Sequence, residues 1–120
     1  MWGMGAWSGS DDEESIASLE HAVDLGCNFF DTAWAYGQGH SERLLGRLLR
    51  ARSDSRLYSA TKIPPKNMKW PAAADSRLDE SYPPDHIREF AEKSLNNIGV
   101  STLDLLQFHT WHDAWANDER

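Results

Sequence analysis

The sequence predicts an α/β fold of parallel strands alternating with helices, either a (β/α) barrel or an open doubly wound sheet. Three observations carry that expectation. Segments with apolar residues at helical spacing alternate with short apolar runs. Start and stop residues bracket the helical segments. And three of the apolar runs end on a group foreign to a core: Asp31, Lys62 and His109. In barrels and open α/β sheets, the carboxyl ends of parallel strands are where sites are built.

The first helix is expected from Ser10 to Gly26. Ser10 with Glu13 fits a capping box, and Asp11, Asp12, Glu13 and Glu14 suit the positive end of the helix dipole. Ile16, Leu19, Ala22 and Val23 recur at helical spacing, and Gly26 fits the C-terminal stop. Cys27 to Thr32 reads as a strand. Ser41 is placed to cap a second helix, whose Leu44, Leu45, Leu48 and Leu49 form a stripe with Arg43, Arg47 and Arg50 off it. Leu57 to Lys62 is a second strand. All five prolines then fall between Pro64 and Pro84, so this stretch reads mostly as loop, and a loop this long is usually functional or disordered. A third helix starts at Pro84 or Asp85, with Ile87, Phe90, Ala91, Leu95 and Ile98 as its buried face and Gly99 at its end. Leu103 to His109 reads as a buried strand.

Composition narrows the function. At 120 residues, 40% hydrophobic and 26% charged, the chain has the make-up of one soluble globular domain. No apolar run approaches a membrane span, and the net charge of −7 argues against nucleic acid or an anionic membrane as partner. Cys27 is the single cysteine, so no internal disulfide forms and a reducing, cytoplasmic compartment is expected. Six tryptophans suggest an aromatic-lined pocket, although core filling would also use them.

The strand-end residues form a coherent set with Tyr36, five residues beyond Asp31. A tyrosine ordinarily titrates near pH ~10, and a nearby ammonium favours its phenolate. Lys62 is suited to that task, Asp31 to holding Lys62 charged, and His109 to binding a substrate oxygen beside the phenol. Such a set donates a proton to an oxygen that is gaining charge, as reduction of a carbonyl by a nicotinamide hydride requires. Singly, each residue has a bland alternative: a turn cap, a surface aromatic, a strand-end charge, a core imidazole. It is their joint position at strand ends that favours a site.

These residues resemble a known family. Asp31-Thr32-Ala33, Tyr36-Gly37, Gly39 and Ser41-Glu42 are similar to the D-T-A-x-x-Y-G-x-G-x-S-E segment of the aldo/keto reductases. Thr61-Lys62 is similar to their T-K, and Ser94-Leu95, Leu103-Asp104-Leu105 and His109 to their S-L…D-L…H. The resemblance implies a partial (β/α)8 TIM barrel, with residues 1–120 as the N-terminal part of a single domain, cut at both ends. It implies an NADPH-dependent (or NADH-dependent) reductase of aldehydes or ketones. Tyr36 would be the proton donor, Lys62 and Asp31 its tuning pair, and His109 the group orienting a small-molecule carbonyl. Trp2 and Asp31 would lie beside the cofactor; Trp111 and Trp34, and more weakly Trp70, would wall the substrate pocket. The alternatives are a non-catalytic nucleotide-binding regulatory subunit of the same fold, or an inactive fragment.

Two other motifs carry little. The glycines of Gly3-Met4-Gly5-Ala6-Trp7-Ser8-Gly9 miss the dinucleotide-binding spacing, and four carboxylates open the helix where a pyrophosphate would dock. His109 and His112 lack a clear third ligand at a matching spacing, so no metal is expected.

Overall fold

The computed structural model describes residues 11–73 and 75–117. Ser10 and the glycine-rich opening lie outside them, as does Trp2. The first helix, α1, runs Asp12–Asp24. Its cap is Asp11 rather than Ser10: the Asp11 carboxylate accepts from the Glu13 and Glu14 amides at 2.8 and 3.0 Å. At its far end Gly26 takes φ +94°, a left-handed conformation, and the Gly26 and Cys27 amides donate to the Val23 and Ala22 carbonyls.

Strand β1 (Phe29–Asp31) follows, then helix α2 (His40–Ala51), strand β2 (Tyr58–Ile63), the short helix α3 (Leu78–Ser81), helix α4 (Pro84–Ile98), strand β3 (Leu105–Phe108) and a 3-10 helix at Asp113–Asn117. The three strands form one parallel sheet in the order β1-β2-β3. Each strand is added beside its predecessor in the same direction. This is how a barrel wall grows, whereas a doubly wound sheet reverses at its switch point.

The helices lie together on one face of the sheet. Phe30 of β1 packs with Ile16, Leu19 and Val23 of α1, Leu44, Leu45 and Leu48 of α2 and Ile98 of α4. The expected stripe of α2 thus enters the core. Helices α2 and α4 approach so closely that a Cβ on Gly46 would collide with the Ile98 carbonyl oxygen. A second cluster, Ile63, Tyr82 and Trp115, extends the core beneath the proline-bearing loop.

Two expectations change. Ser41 does not cap α2; the cap is Gly39, at φ +86°, and Ser41 lies inside the helix with its hydroxyl bonded to Thr32. Strand β3 is not buried: Leu105 and Phe108 stay 42% and 37% exposed. It is a sheet edge, and Leu105 stands on the face away from the helices, level with Ala60. Phe29, 49% exposed, shares that open face. Among the described residues no helix is long and apolar enough to cross a membrane.

Gly46→Ala tests the α2–α4 contact. Because the colliding group is backbone, the helices must part, and the expected loss is about 1–3 kcal/mol, read as a lower urea midpoint at unchanged slope.

Candidate active site

The parallel register decides which side chains meet. Neighbouring residues of a strand face opposite ways. Asp31 is level with Ala60, so Lys62 stands two residues further on and on the same face. Lys62 is in turn level with Gln107, so His109 stands two residues beyond that. The His109 amide continues the ladder, donating to the Ile63 carbonyl at 3.0 Å. Asp31, Lys62 and His109 therefore climb the open face as a diagonal, one step per strand.

Lys62 is the hub of this diagonal. Its ammonium pairs with the Asp31 carboxylate and donates to the Thr32 carbonyl at 2.8 Å. The lysine side chain is largely buried while that of Asp31 remains half exposed. A buried ammonium must be paired, and here two acceptors from one strand end hold it.

Tyr36 reaches the same place from the loop after β1. Its ring lies 5.6 Å from the Lys62 ammonium and meets the His109 ring edge to face at 5.5 Å. All four residues singled out in the sequence thus come together. Burial, and then the Lys62 ammonium, hold the His109 imidazole below its usual range, with Asp31 opposing. His109 Nδ1 is buried and has no hydrogen-bond partner. A buried polar atom left unpaired is costly, and functional sites are where that cost is tolerated.

The tryptophans have different neighbours. Trp34 packs edge-on against Phe90 of α4 at 4.8 Å, and Trp111, 52% exposed, meets Trp115 edge-on at 5.7 Å. The aromatic beside His109 is Trp70, at 4.6 Å and 87°. The long loop folds back over the strand ends, so its tryptophan arrives where sequence-adjacent ones do not. His112 belongs to the turn beyond the site, its Nδ1 accepting from the Ala114 amide at 3.1 Å.

A model of the aldo/keto reductase family matches residues 1–119. The chain belongs to the aldo/keto reductase family. It is 33% identical over 101 residues to the Schizosaccharomyces pombe aldo-keto reductase yakc [NADP(+)], covering 83% of this chain and 28% of that protein. A glycerol dehydrogenase from Gluconobacter oxydans superposes with TM-score 0.70 at 37% identity, over 94% of this chain and 35% of the other. A Klebsiella pneumoniae aldo-keto reductase solved in complex with NADPH superposes with TM-score 0.67 at 25% identity, over 93% and 34%. The chain spans about a third of the length of these relatives. Its parallel strands and alternating helices match part of their TIM-barrel fold.

In this aldo/keto reductase segment the family motif does two jobs. Asp31, Tyr36 and Lys62 face the site. Thr32, Ser41, Glu42 and Thr61 turn inward, fully buried.

Tyr82 carries no signal as a lone aromatic in a loop, yet it secures the end of β3. Its ring stacks on Phe108 at 4.1 Å, its hydroxyl reaches the Thr110 carbonyl at 3.2 Å, and it accepts from the Thr110 amide at 2.9 Å. The one available cue is its place just before Pro83-Pro84, where the loop must rejoin the fold. The acid Glu42 did leave a cue, since it lies in line with Leu45 and Leu49 on the apolar stripe.

Three measurements follow from this geometry. The His109 ring, followed by proton NMR, is expected to titrate below 6.5. The unfolded chain then takes up the proton first, so this contribution to stability is complete above the unfolded value and is lost as pH falls through the folded one. His109→Gln is expected to flatten the stability profile as pH falls below the ordinary histidine range. Tyr82→Phe, which removes the bonds to Thr110, is expected to cost about 1–3 kcal/mol in urea unfolding, because the Thr110 amide loses its partner.

Proposed function

We propose that the protein carrying this chain reduces aldehydes or ketones to alcohols with NADPH, with NADH as the alternative donor, and that Tyr36 is the proton donor. The observation that supports this most is the convergence on Lys62: its ammonium holds Asp31 and lies beside Tyr36, whose ring touches His109. That is a proton donor, a cation and an imidazole around one point on an open face. In this reading residues 1–120 are the N-terminal part of a single reductase barrel.

The described residues suit the reacting end of such a cofactor. Asp31 keeps an exposed carboxylate edge able to accept from a sugar hydroxyl, while Lys62 is already engaged by two acceptors. The nicotinamide, when bound, supplies the hydride. The chain's own residues orient the carbonyl and supply the proton. His109 hydrogen-bonds the carbonyl oxygen through its imidazole. Tyr36 gives its hydroxyl proton to that oxygen as charge builds there, and the nearby Lys62 ammonium favours the phenolate left behind. Asp31 keeps Lys62 in place. Trp70, edge-on to His109, is the aromatic wall for the substrate. The exposed thiol of Cys27 suits a reducing cytoplasmic setting.

Tyr36→Phe in the complete barrel is the direct test. Turnover of NADPH with a panel of aldehydes is expected to fall about 100- to 10,000-fold, with cofactor affinity held. Undiminished carbonyl reduction would remove the assigned role.

A further inference from the structure

Beneath the site lies a layer of polar side chains that the proposed chemistry does not use. Thr32, Ser41, Glu42 and Thr61 are all fully buried. Thr32 Oγ1 donates to Ser41 Oγ at 2.7 Å. Thr61 Oγ1 donates to Glu42 Oε1 at 2.6 Å, and Asn97 Nδ2 donates to Glu42 Oε2 at 2.7 Å. The Ser41 amide donates to the Tyr36 carbonyl at 3.2 Å.

From this we infer that Ser41 and Glu42, the dipeptide opening α2, are positioning residues that set Asp31, Tyr36 and Lys62 relative to one another. The inference rests on reading those three as the reactive group. Each is tied to the dipeptide at its own backbone or at the adjacent residue. Thr32 follows Asp31, Thr61 precedes Lys62, and Tyr36 is held by its own carbonyl. Because strand neighbours point to opposite faces, fixing Thr61 on the helix side sets the height and rotation of Lys62 on the open side. The same holds for Thr32 and Asp31.

The chemistry of the layer fits positioning better than simple packing. Apolar side chains of the same shape would fill this space without needing partners. A hydrogen bond adds a preferred length and angle, which an apolar contact that can slide does not supply. Glu42 adds reach: one carboxyl takes donors from β2 and from the last turn of α4, while its own helix start favours an acid. The carboxyl thereby links the strand bearing Lys62 to the helix that leads into β3 and His109.

The test separates position from stability and needs no turnover. In the full chain, two amides are followed by hydrogen exchange. The Trp34 amide donates to the Lys62 carbonyl at 3.3 Å and reports the strand ends; the Arg52 amide donates to the Leu48 carbonyl at 2.9 Å and reports the end of α2 remote from Ser41 and Glu42. A nuclear Overhauser contact between the Lys62 side chain and the Tyr36 ring gives their proximity. Thr61→Val, which removes the hydroxyl at equal shape, and Glu42→Asp, which shortens the acid, are expected to speed Trp34 exchange about tenfold and weaken that contact. Arg52 exchange should change less than about twofold. Thr61→Ser, which keeps the hydroxyl, is expected to restore both. Should Thr61→Val not fold, Glu42→Asp carries the test, with Glu42→Gln as its control. It keeps the length, so unchanged exchange is expected beside an altered Glu42→Asp. In the complete barrel, kcat is expected to fall in Thr61→Val with little change in KM. The inference is overturned if Trp34 and Arg52 speed up in equal proportion, which would mean a stability role alone. It is equally overturned if Trp34 exchange and the Lys62–Tyr36 contact stay at their unsubstituted values in Thr61→Val and Glu42→Asp.

Discussion

The pairing of Lys62 with Asp31 across two adjacent parallel strands is the constraint on which the rest depends. It exists only in one register. If β2 slipped by a single residue against β1, Lys62 would turn into the helix layer and Thr61 out onto the open face. The leucines of α2 would then meet an ammonium, and Glu42 would lose its donor. The core and the site are therefore two readings of one alignment. Phe30, Ser59, Thr61 and Ile63 specify it from the helix side, and Asp31 and Lys62 exploit it on the other.

The family motif also divides between side chains on the open face and side chains buried in the helix layer. Asp31, Tyr36 and Lys62 are the residues that chemistry would use. Thr32 and Thr61 are the chain neighbours of Asp31 and Lys62 and point the other way, as strand neighbours do, while Ser41 and Glu42 meet them from helix α2. Burying four polar side chains is tolerable here because each finds a partner. The long loop gives the same lesson from farther away. Tyr82 and Trp115 dock it on Ile63, the Trp115 indole N–H donates to the Ser76 carbonyl at 2.7 Å, and Trp70 is thereby delivered to His109.

The open face is the remaining physical feature of note. Phe29 and Leu105 stand there exposed beside Asp31, Lys62 and Gln107, on a sheet whose two edges are unpaired among the described residues. In the barrels of its relatives a sheet closes on itself, so the equivalent face becomes an interior and the edges vanish. Lys62 is largely buried even without such closure, because Asp31 and the Thr32 carbonyl enclose its ammonium locally.

Much of this was determined by the sequence alone. Helical spacing located the three long helices, and glycines at left-handed φ ended two of them, because those signals are local. Alternation located three strands, and polar residues at their ends located Asp31, Lys62 and His109. Tertiary structure decided what lies between distant residues. Asp11 caps α1 because its carboxylate accepts from the Glu13 and Glu14 amides, and Gly39 rather than Ser41 precedes α2 because the chain turns there at a left-handed φ while the Ser41 hydroxyl bonds to Thr32. Trp34 and Trp111, nearest to the site along the chain, went to Phe90 and Trp115, while Trp70 came to His109. Leu105 and Phe108 read as buried but are exposed, since apolar character states a preference and only neighbouring strands and helices can satisfy it. Glu42 lies on the apolar stripe of α2, but the sequence could not show that its partners are Thr61 and Asn97, far away in the chain. Periodicity reports which way a side chain points; what it meets depends on register and packing, and neither is encoded within one segment.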